Sequence, residues 1–250
     1  MQMHAVDEGW DTGARDLARR NFARSGVAVV PAALDPEMTH ALRREADIVE
    51  ARLIGLDRLP IGVELADLPD GARRVCRIEP ICPHSGLIAE IAGHAVIVGL
   101  AEQVLGGAVH LLEDKLISKP PGCATLFPPH QEWHWTMPLS RENAMVVVPL
   151  ESCSEENGVI MIVPGSHHAG LLPHEDDIVA DSHFDRNSAV PLQLAPGDLA
   201  VVSGGVVHFS GPNASRKSRR LLCLSYNAAS EGDCYSRHRA RWTGAYSAGR

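Results

Sequence analysis

Asp198-Leu-Ala-Val-Val-Ser-Gly-Gly-Val-Val-His208 is a short β-branched run, broken by a Ser-Gly-Gly turn and closed by a histidine. A run of that length, ended by glycines, suits a strand and is too short for a helix. Comparable runs stand at Val109–Leu112, Ala144–Leu150, Gly158–Val163, Leu192–Leu194 and Leu221–Tyr226, punctuated by Pro, Gly and Asn. Evenly spaced short strands with turn chemistry between them predict a sandwich or jelly roll and argue against βαβ units.

The chain changes character near residue 108. Upstream, Asp11–Ala23 and Asp35–Leu56 carry apolar residues at helical spacing, the second opened by Asp35 as N-cap with Pro36 in the first position and Glu37 next. Gly26–Pro31 reads as a strand. Residues 85–105 read as helix from Ser85, with a second cap at His94 and a stop at Gly106-Gly107. The expected organisation is one domain over 1–250: helical support over about 11–107, a jelly-roll core over about 108–228 and a tail over 229–250. Gly170–Val190, with Pro173, several acids, His174 and His183, breaks the pattern and reads as a surface loop placed as a lid.

A chain of 250 residues with net charge −8 and no block of like charges argues against a nucleic-acid or anionic-membrane partner. Met1–Arg20 lacks the apolar stretch of a signal peptide, and the apolar runs fall short of a membrane span. The six cysteines show no CxxC spacing in a chain large enough to need no disulfides, which predicts reduced thiols and a cytoplasmic setting.

The chemistry gathers at His130-Gln131-Glu132, His208 and Arg219. On an extended strand His130 and Glu132 share a face and Gln131 points the other way, into a structural role. His208 supplies a third donor from the opposite side of a roll. Two imidazoles and a carboxylate with open positions suit non-heme Fe(II), and an arginine eleven residues past the second histidine suits a dicarboxylate co-substrate. His174-Glu175-Asp176 and His183-Phe184-Asp185 offer the same residue types, yet sit too close before His208 to cross a roll and return.

Lys119-Pro-Pro-Gly122, His130-Gln-Glu-Trp-His134, Glu156-Asn-Gly-Val159, Val163-Pro-Gly-Ser-His167, Pro196-Gly-Asp198, His208-Phe-Ser-Gly-Pro-Asn213 and Arg219-Arg220 form an ordered set of blocks. In order and spacing, over roughly residues 18–228, the set resembles the phytanoyl-CoA dioxygenase family of Fe(II)/2-oxoglutarate-dependent oxygenases. The resemblance implies a double-stranded β-helix (jelly-roll, cupin-like) core. It implies Fe(II) held by His130, Glu132 and His208, and 2-oxoglutarate held by Arg219 with help from Ser210. A further cation before the core is matched to Arg77, with Lys115 second. O2 would be the other co-substrate. His134 and Trp135 would line the cavity mouth, and Glu175, Asp176 and Asp177 stand where a cationic or polyhydroxyl substrate would meet them.

In one respect the chain departs from the family's pattern: Glu132 stands where an aspartate is usual. The extra methylene carries the carboxylate about 1.5 Å further. Retention of a carboxylate disfavours a halogenase, which drops it to make room for halide. The implied reaction is hydroxylation, or another oxidation, of an unactivated C–H in a small metabolite, a biosynthetic intermediate, with release of succinate and CO2. Two rival readings are a non-oxidative cupin-like metal enzyme, an isomerase or lyase, and a catalytically silent binding module whose Glu132 no longer holds iron.

Overall fold

In the computed structural model, which describes residues 12–240, the elements follow in chain order as α1 (Thr12–Ser25), β1 (Val27–Val30), α2 (Pro36–Ile54), β2 (Val63–Asp67), β3 (Arg73–Ile78), α3 (Gly86–Ala92), α4 (Ala95–Leu105), β4 (Val109–Lys119), β5 (Phe127–His130), α5 (Trp133–Thr136), β6 (Asn143–Pro149), β7 (Ile160–Ile162), β8 (His174–Glu175), β9 (Ile178–Val179), β10 (Val190–Pro191), β11 (Leu199–Ser203), β12 (His208–Ser210) and β13 (Arg219–Ala228). The expected start of α1 at Asp11 and the tail beyond residue 240 lie outside the described residues.

Two antiparallel sheets make the jelly roll. The larger runs β1-β11-β6-β13-β4-β3-β2 and the smaller β10-β7-β12-β5. Every residue of β6, β11 and β13 is buried, because the larger sheet is covered on both faces. On one face Ala144, Val146, Val148, Val201, Leu222 and Leu224 pack on Leu42, Ala46, Val49, Leu53, Ile88, Ile91, Ile97 and Leu100 of the helices. On the other, Met145, Val147, Ala200, Val202, Leu221 and Cys223 meet Val159, Ile162 and Val206 of the smaller-sheet side. Two-sided burial makes these strands read as continuous apolar runs, whereas a half-exposed strand would alternate.

The helix ends form as their residues dictate. Asp35 accepts from Met38 N at 2.7 Å with Pro36 in the first turn, Ser85 accepts from Ile88 N at 3.1 Å, and His94 caps α4 after Gly93 breaks the helix. Gly86–Leu105 taken as one stretch is long and apolar enough to cross a membrane. Here it is folded into α3 and α4, and Ile88, Ile91, Ile97 and Leu100 go into the core.

Three features differ from the sequence reading. β2 and β3 lie in the segment expected to be helical support, and β3 extends the larger sheet beyond β4. Leu192–Leu194 is irregular; the strand is Val190–Pro191, and Leu192 N–H makes one further bond in the same register, to Ile160 O at 2.8 Å, before the chain departs. The expected lid loop contains the β8–β9 hairpin, turned by Asp176 and Asp177 at φ 48° and 66°. Positive φ at both central residues gives the turn whose twist suits a two-residue hairpin, and aspartate tolerates it.

Candidate active site

The β5–β12 ladder places His130 directly opposite His208, with ring centroids 4.2 Å apart. Each ring turns Nδ1 to a carbonyl two residues earlier, His130 to Pro128 at 2.7 Å and His208 to Val206 at 3.0 Å. A carbonyl only accepts, so Nδ1 carries the proton and Nε2 is the nitrogen turned toward the site. Both Nε2 atoms face Glu132 Oε1, at 3.9 Å and 3.7 Å. Burial, with His208 alongside, pushes the His130 imidazole down to about 3, so it is neutral at physiological pH. Donor atoms of the three residues lie within 4.8 Å of one another. Two imidazoles with one carboxylate fit a divalent iron that keeps positions open for other ligands.

Glu132 reaches this point by a route the sequence reading did not give. It is not on an extended strand: β5 ends at His130, and Glu132, at φ −58° and ψ −28°, opens α5. Trp133 N donates to Gly204 O at 2.9 Å, and Thr136 donates to Glu132 O at 3.0 Å from both N and Oγ1. The Trp133 ring lies where Gly204 and Gly205 have no side chain; a Cβ on Gly205 would stand 2.6 Å from it. Gln131 is structural, its amide donating to Gly170 O and Gly205 O and accepting from Leu172 N.

His134 and Trp135 therefore do not continue a strand; they sit on α5. Trp135 lines the cavity, 5.4 Å from the His130 ring between centroids. His134 is at the rim, its Nε2 2.8 Å from Asp177 Oδ1 and its ring stacked on His174 at 4.2 Å. Asp177, at the hairpin tip, lines the same cavity. Neither decoy joins the metal set. His174 and its neighbours build the hairpin, and His183 lies in a short helical turn.

The cavity measures about 260 Å³. Its floor is one face of the β4–β13 ladder, where Arg219 opposes Lys119, Leu221 opposes Ile117, Cys223 opposes Lys115 and Ser225 opposes Glu113. At the deep end Arg219 is 1% exposed. Its NH2 donates to Gly158 O at 2.9 Å, while Nε and NH1 have no partner. Lys119, fully buried, donates to Ser210 Oγ at 2.8 Å and to Gly211 O. Burial and the Arg219 charge push Lys119 down to about 7. Like charges directly opposite one another repel, and unused guanidinium donors in a buried site call for an anion. A carboxylate is that anion. Arg220, one residue on, points to the other face and pairs with Glu151 and Asp47.

The remaining charges line the floor nearer the metal set. Lys115 Nζ lies 3.0 Å from both oxygens of Glu132 and 3.0 Å from Glu113 Oε2. Burial opposes its charge, but Glu113 and Glu132 outweigh burial and hold the ammonium protonated. Lys115, which the sequence reading matched to the co-substrate, lines the cavity with its ammonium engaged by Glu132 and Glu113. Arg77 lines the cavity too, with its guanidinium engaged by Glu79 and Glu64. Behind it Glu79, Glu113 and His238 form a second convergent set, fully buried. Each of those carboxylates already holds a cation, Arg77 on Glu79 and Lys115 on Glu113. Burial and the neighbouring Glu113 raise Glu79 to about 8.

Lys119 and Glu113 are residues of this region that the sequence reading missed, whereas Asp177, read from the sequence as a lid acid placed to meet substrate, does line the cavity. Lys119 was in view as the start of Lys-Pro-Pro-Gly, and it shares strand parity with Lys115, but only the register with Arg219 gives it a place.

A phytanoyl-CoA dioxygenase (PhyH) family profile matches residues 22–221. The chain is 30% identical over 166 residues to 2-aminoethylphosphonate dioxygenase of the uncultured bacterium HF130_AEPn_1, covering 65% of this chain and 63% of that protein. It is 28% identical over 166 residues to methylphosphonate hydroxylase of Gimesia maris, covering 66% and 63%. The match thus spans somewhat less than two thirds of either relative's length. Among solved structures, EctD from S. alaskensis with 2-oxoglutarate and 5-hydroxyectoine superposes with a TM-score of 0.74 at 23% identity, covering 91% of this chain and 81% of that one. That likeness shows the fold.

Proposed function

Since the chain belongs to the phytanoyl-CoA dioxygenase family, we propose that it is an Fe(II)/2-oxoglutarate-dependent dioxygenase that hydroxylates a C–H bond of a small metabolite, a biosynthetic intermediate. His130, Glu132 and His208 hold Fe(II); Arg219 and Lys119 hold the far carboxylate of 2-oxoglutarate, with Ser210 between them and the metal. When bound, iron with 2-oxoglutarate and O2 supplies the oxidising chemistry, in which the co-substrate leaves as succinate and CO2 while one oxygen atom enters the substrate. The protein's own part is to orient and to exclude water. Its Nδ1–H to carbonyl bonds aim both imidazoles, the β4–β13 floor fixes the co-substrate, and Trp135 and the β8–β9 hairpin close the mouth.

The observation that carries this reading is the juxtaposition, in one cavity, of His130, Glu132 and His208 with Arg219, a buried guanidinium that has no carboxylate partner, backed by Lys119, which reaches the cavity wall through Ser210. A cavity of about 260 Å³ falls just below the lower end of ordinary ligand sites, which supports a small substrate. The named activities of the relatives, on 2-aminoethylphosphonate and methylphosphonate, support the same size class. All six cysteines are free thiols, in keeping with a cytoplasmic setting.

Anaerobic titration of the metal-free protein with Fe(II) and then 2-oxoglutarate tests the reading through the visible charge-transfer band of the chelate. A band that is lost in His208→Ala and weakened in Arg219→Ala supports it. Metal binding without a band points to the non-oxidative cupin-like enzyme. One observation favours the silent module, the engagement of both Glu132 oxygens by Lys115; failure to bind Fe(II) would establish it.

A further inference from the structure

The glutamate at position 132 and the lysine at position 115 form a matched pair. Lys115 rises from β4 in the floor of the cavity, opposite Cys223, and its ammonium lies 3.0 Å from both Glu132 oxygens. A second carboxylate, Glu113, takes the same ammonium at 3.0 Å and is itself held by Ser225 Oγ at 3.0 Å, with His238 Nε2 3.7 Å from its other oxygen. Lys115 is thus tied from behind and presents a fixed charge to Glu132.

Glu132 is fixed from its own side as well. Its carbonyl accepts from Thr136 N and Oγ1, and the next amide donates to Gly204 O. The backbone cannot advance toward Lys115. From that fixed point the carboxylate spans two targets, the ammonium at 3.0 Å and the paired imidazole Nε2 atoms at 3.7 Å and 3.9 Å. An aspartate, shorter by one carbon–carbon bond of about 1.5 Å, loses one target or the other.

We propose that Lys115 is a positioning residue that dictates the length of the metal carboxylate: by holding Glu132 it makes glutamate, and not aspartate, the acid that serves this site. The inference rests on the Fe(II) reading above. Outer partners of a ligating carboxylate fix its orientation, and their loss commonly costs 10–100-fold in metal affinity. Here the outer partner also sets which acid is tolerated.

The test is a double-variant cycle read as Fe(II) affinity by anaerobic titration, with 2-oxoglutarate affinity measured separately. Glu132→Asp in the natural background weakens Fe(II) binding about 10–100-fold. In a Lys115→Met background the same change alters it within about twofold, the scatter of independent effects. The same factor in both backgrounds overturns the proposal. So does a Lys115→Met protein whose only loss is in 2-oxoglutarate affinity, which returns Lys115 to the co-substrate. If Lys115→Met does not fold, Lys115→Gln, which is neutral and shorter, supplies the second background.

Thermal unfolding of the metal-free proteins gives the comparison without iron. Glu132→Asp lowers Tm when Lys115 is present and leaves it unchanged when it is not. An equal fall in both backgrounds overturns the proposal. Natural protein that binds no Fe(II), with the unfolding cycle still coupled, sinks the oxygenase reading and leaves the pairing standing; bound Fe(II) with uncoupled cycles sinks the pairing alone.

Discussion

Lys119 and Arg219 face each other across the β4–β13 ladder, two almost wholly buried cations in direct register, Arg219 in the cavity wall and Lys119 bound to the cavity residue Ser210. Side chains opposite one another on an antiparallel pair stand about 4.5–5.5 Å apart at Cβ. At that range in a dry site, two positive charges repel strongly. Arg219 gives one donor to Gly158 O and has Nε and NH1 in hand, while Lys119 is turned to Ser210 and Gly211. The pair makes sense as a receptor for one carboxylate.

Arg219→Met removes the only member of the pair with unused fork donors. A charge-assisted hydrogen bond contributes about 1.5–3 kcal/mol, so 2-oxoglutarate affinity falls about 10–100-fold while Fe(II) affinity is retained. Parallel titrations with metal and with co-substrate check both halves. Equal loss of both affinities would mean that Arg219 supports the fold and not the co-substrate.

Lys119 gives a pH dependence. Burial, and then the Arg219 charge, depress it to about 7, from an unfolded value near 10.4. Between those values the folded chain holds fewer protons than the unfolded one, so this group's contribution to stability rises with pH from about 7 to 10. A bound carboxylate reverses the local balance and draws the proton back. At pH 8 binding of 2-oxoglutarate is therefore accompanied by proton uptake, and affinity falls as pH rises above about 7. Calorimetry in buffers of different ionisation enthalpy measures the uptake, and Lys119→Met abolishes it. No uptake by the natural protein at pH 8 would contradict the arrangement.

Much of this was legible in the sequence, for physical reasons. Ala144–Leu150, Asp198–Val202 and Leu221–Tyr226 announce themselves because both their faces are buried, and Asp35 and Ser85 because an N-cap needs a side-chain acceptor. The convergence of His130, Glu132 and His208, with Arg219 in the same cavity, was visible through residue type and spacing. The β2–β3 hairpin was not: Val63–Asp67 and Arg73–Ile78 are short, mixed in polarity and partly exposed at the sheet edge, so neither shows a clean period. The helical turn at Glu132 was hidden because its cause lies in Gly204 and Gly205, more than seventy residues away. Lys119 and Glu113 were hidden for a related reason. Strand parity says which residues share a face, but only the register with β13 says what they oppose.

Gly158 ties the fold to the site. It has φ 76°, and its carbonyl accepts from Arg219 NH2 at 2.9 Å. A Cβ there would meet Gly211 O at 2.7 Å and the Lys119 stem at 2.9 Å. Gly158→Ala adds strain of about 1–3 kcal/mol from the left-handed backbone and displaces both cations. Lower Tm together with weaker 2-oxoglutarate binding is expected from unfolding and titration of the one variant. A loss of stability with co-substrate affinity intact would show that the two cations are placed independently of this turn.

Glu79 sets a second pH dependence, of opposite sign. Burial, then the charge of Glu113, raise it to about 8, although Arg77 and Lys115 pull the other way. With its ordinary value at 4.5, the folded chain keeps a proton that the unfolded chain has released throughout the interval between. The stability this proton represents is complete below about 4.5 and is lost as pH rises to about 8, at no more than about 1.4 kcal/mol per pH unit. Glu79→Gln is neutral at every pH and keeps a donor toward Glu113, so it lacks that slope. Denaturant unfolding of both proteins from pH 5 to 8 isolates the effect as a difference, since all other titrating groups are common to the two. The variant should gain on the natural protein steadily across the interval. Parallel stability curves would mean that Glu79 is ionised in the folded chain, with Arg77 outweighing the desolvation and the repulsion from Glu113.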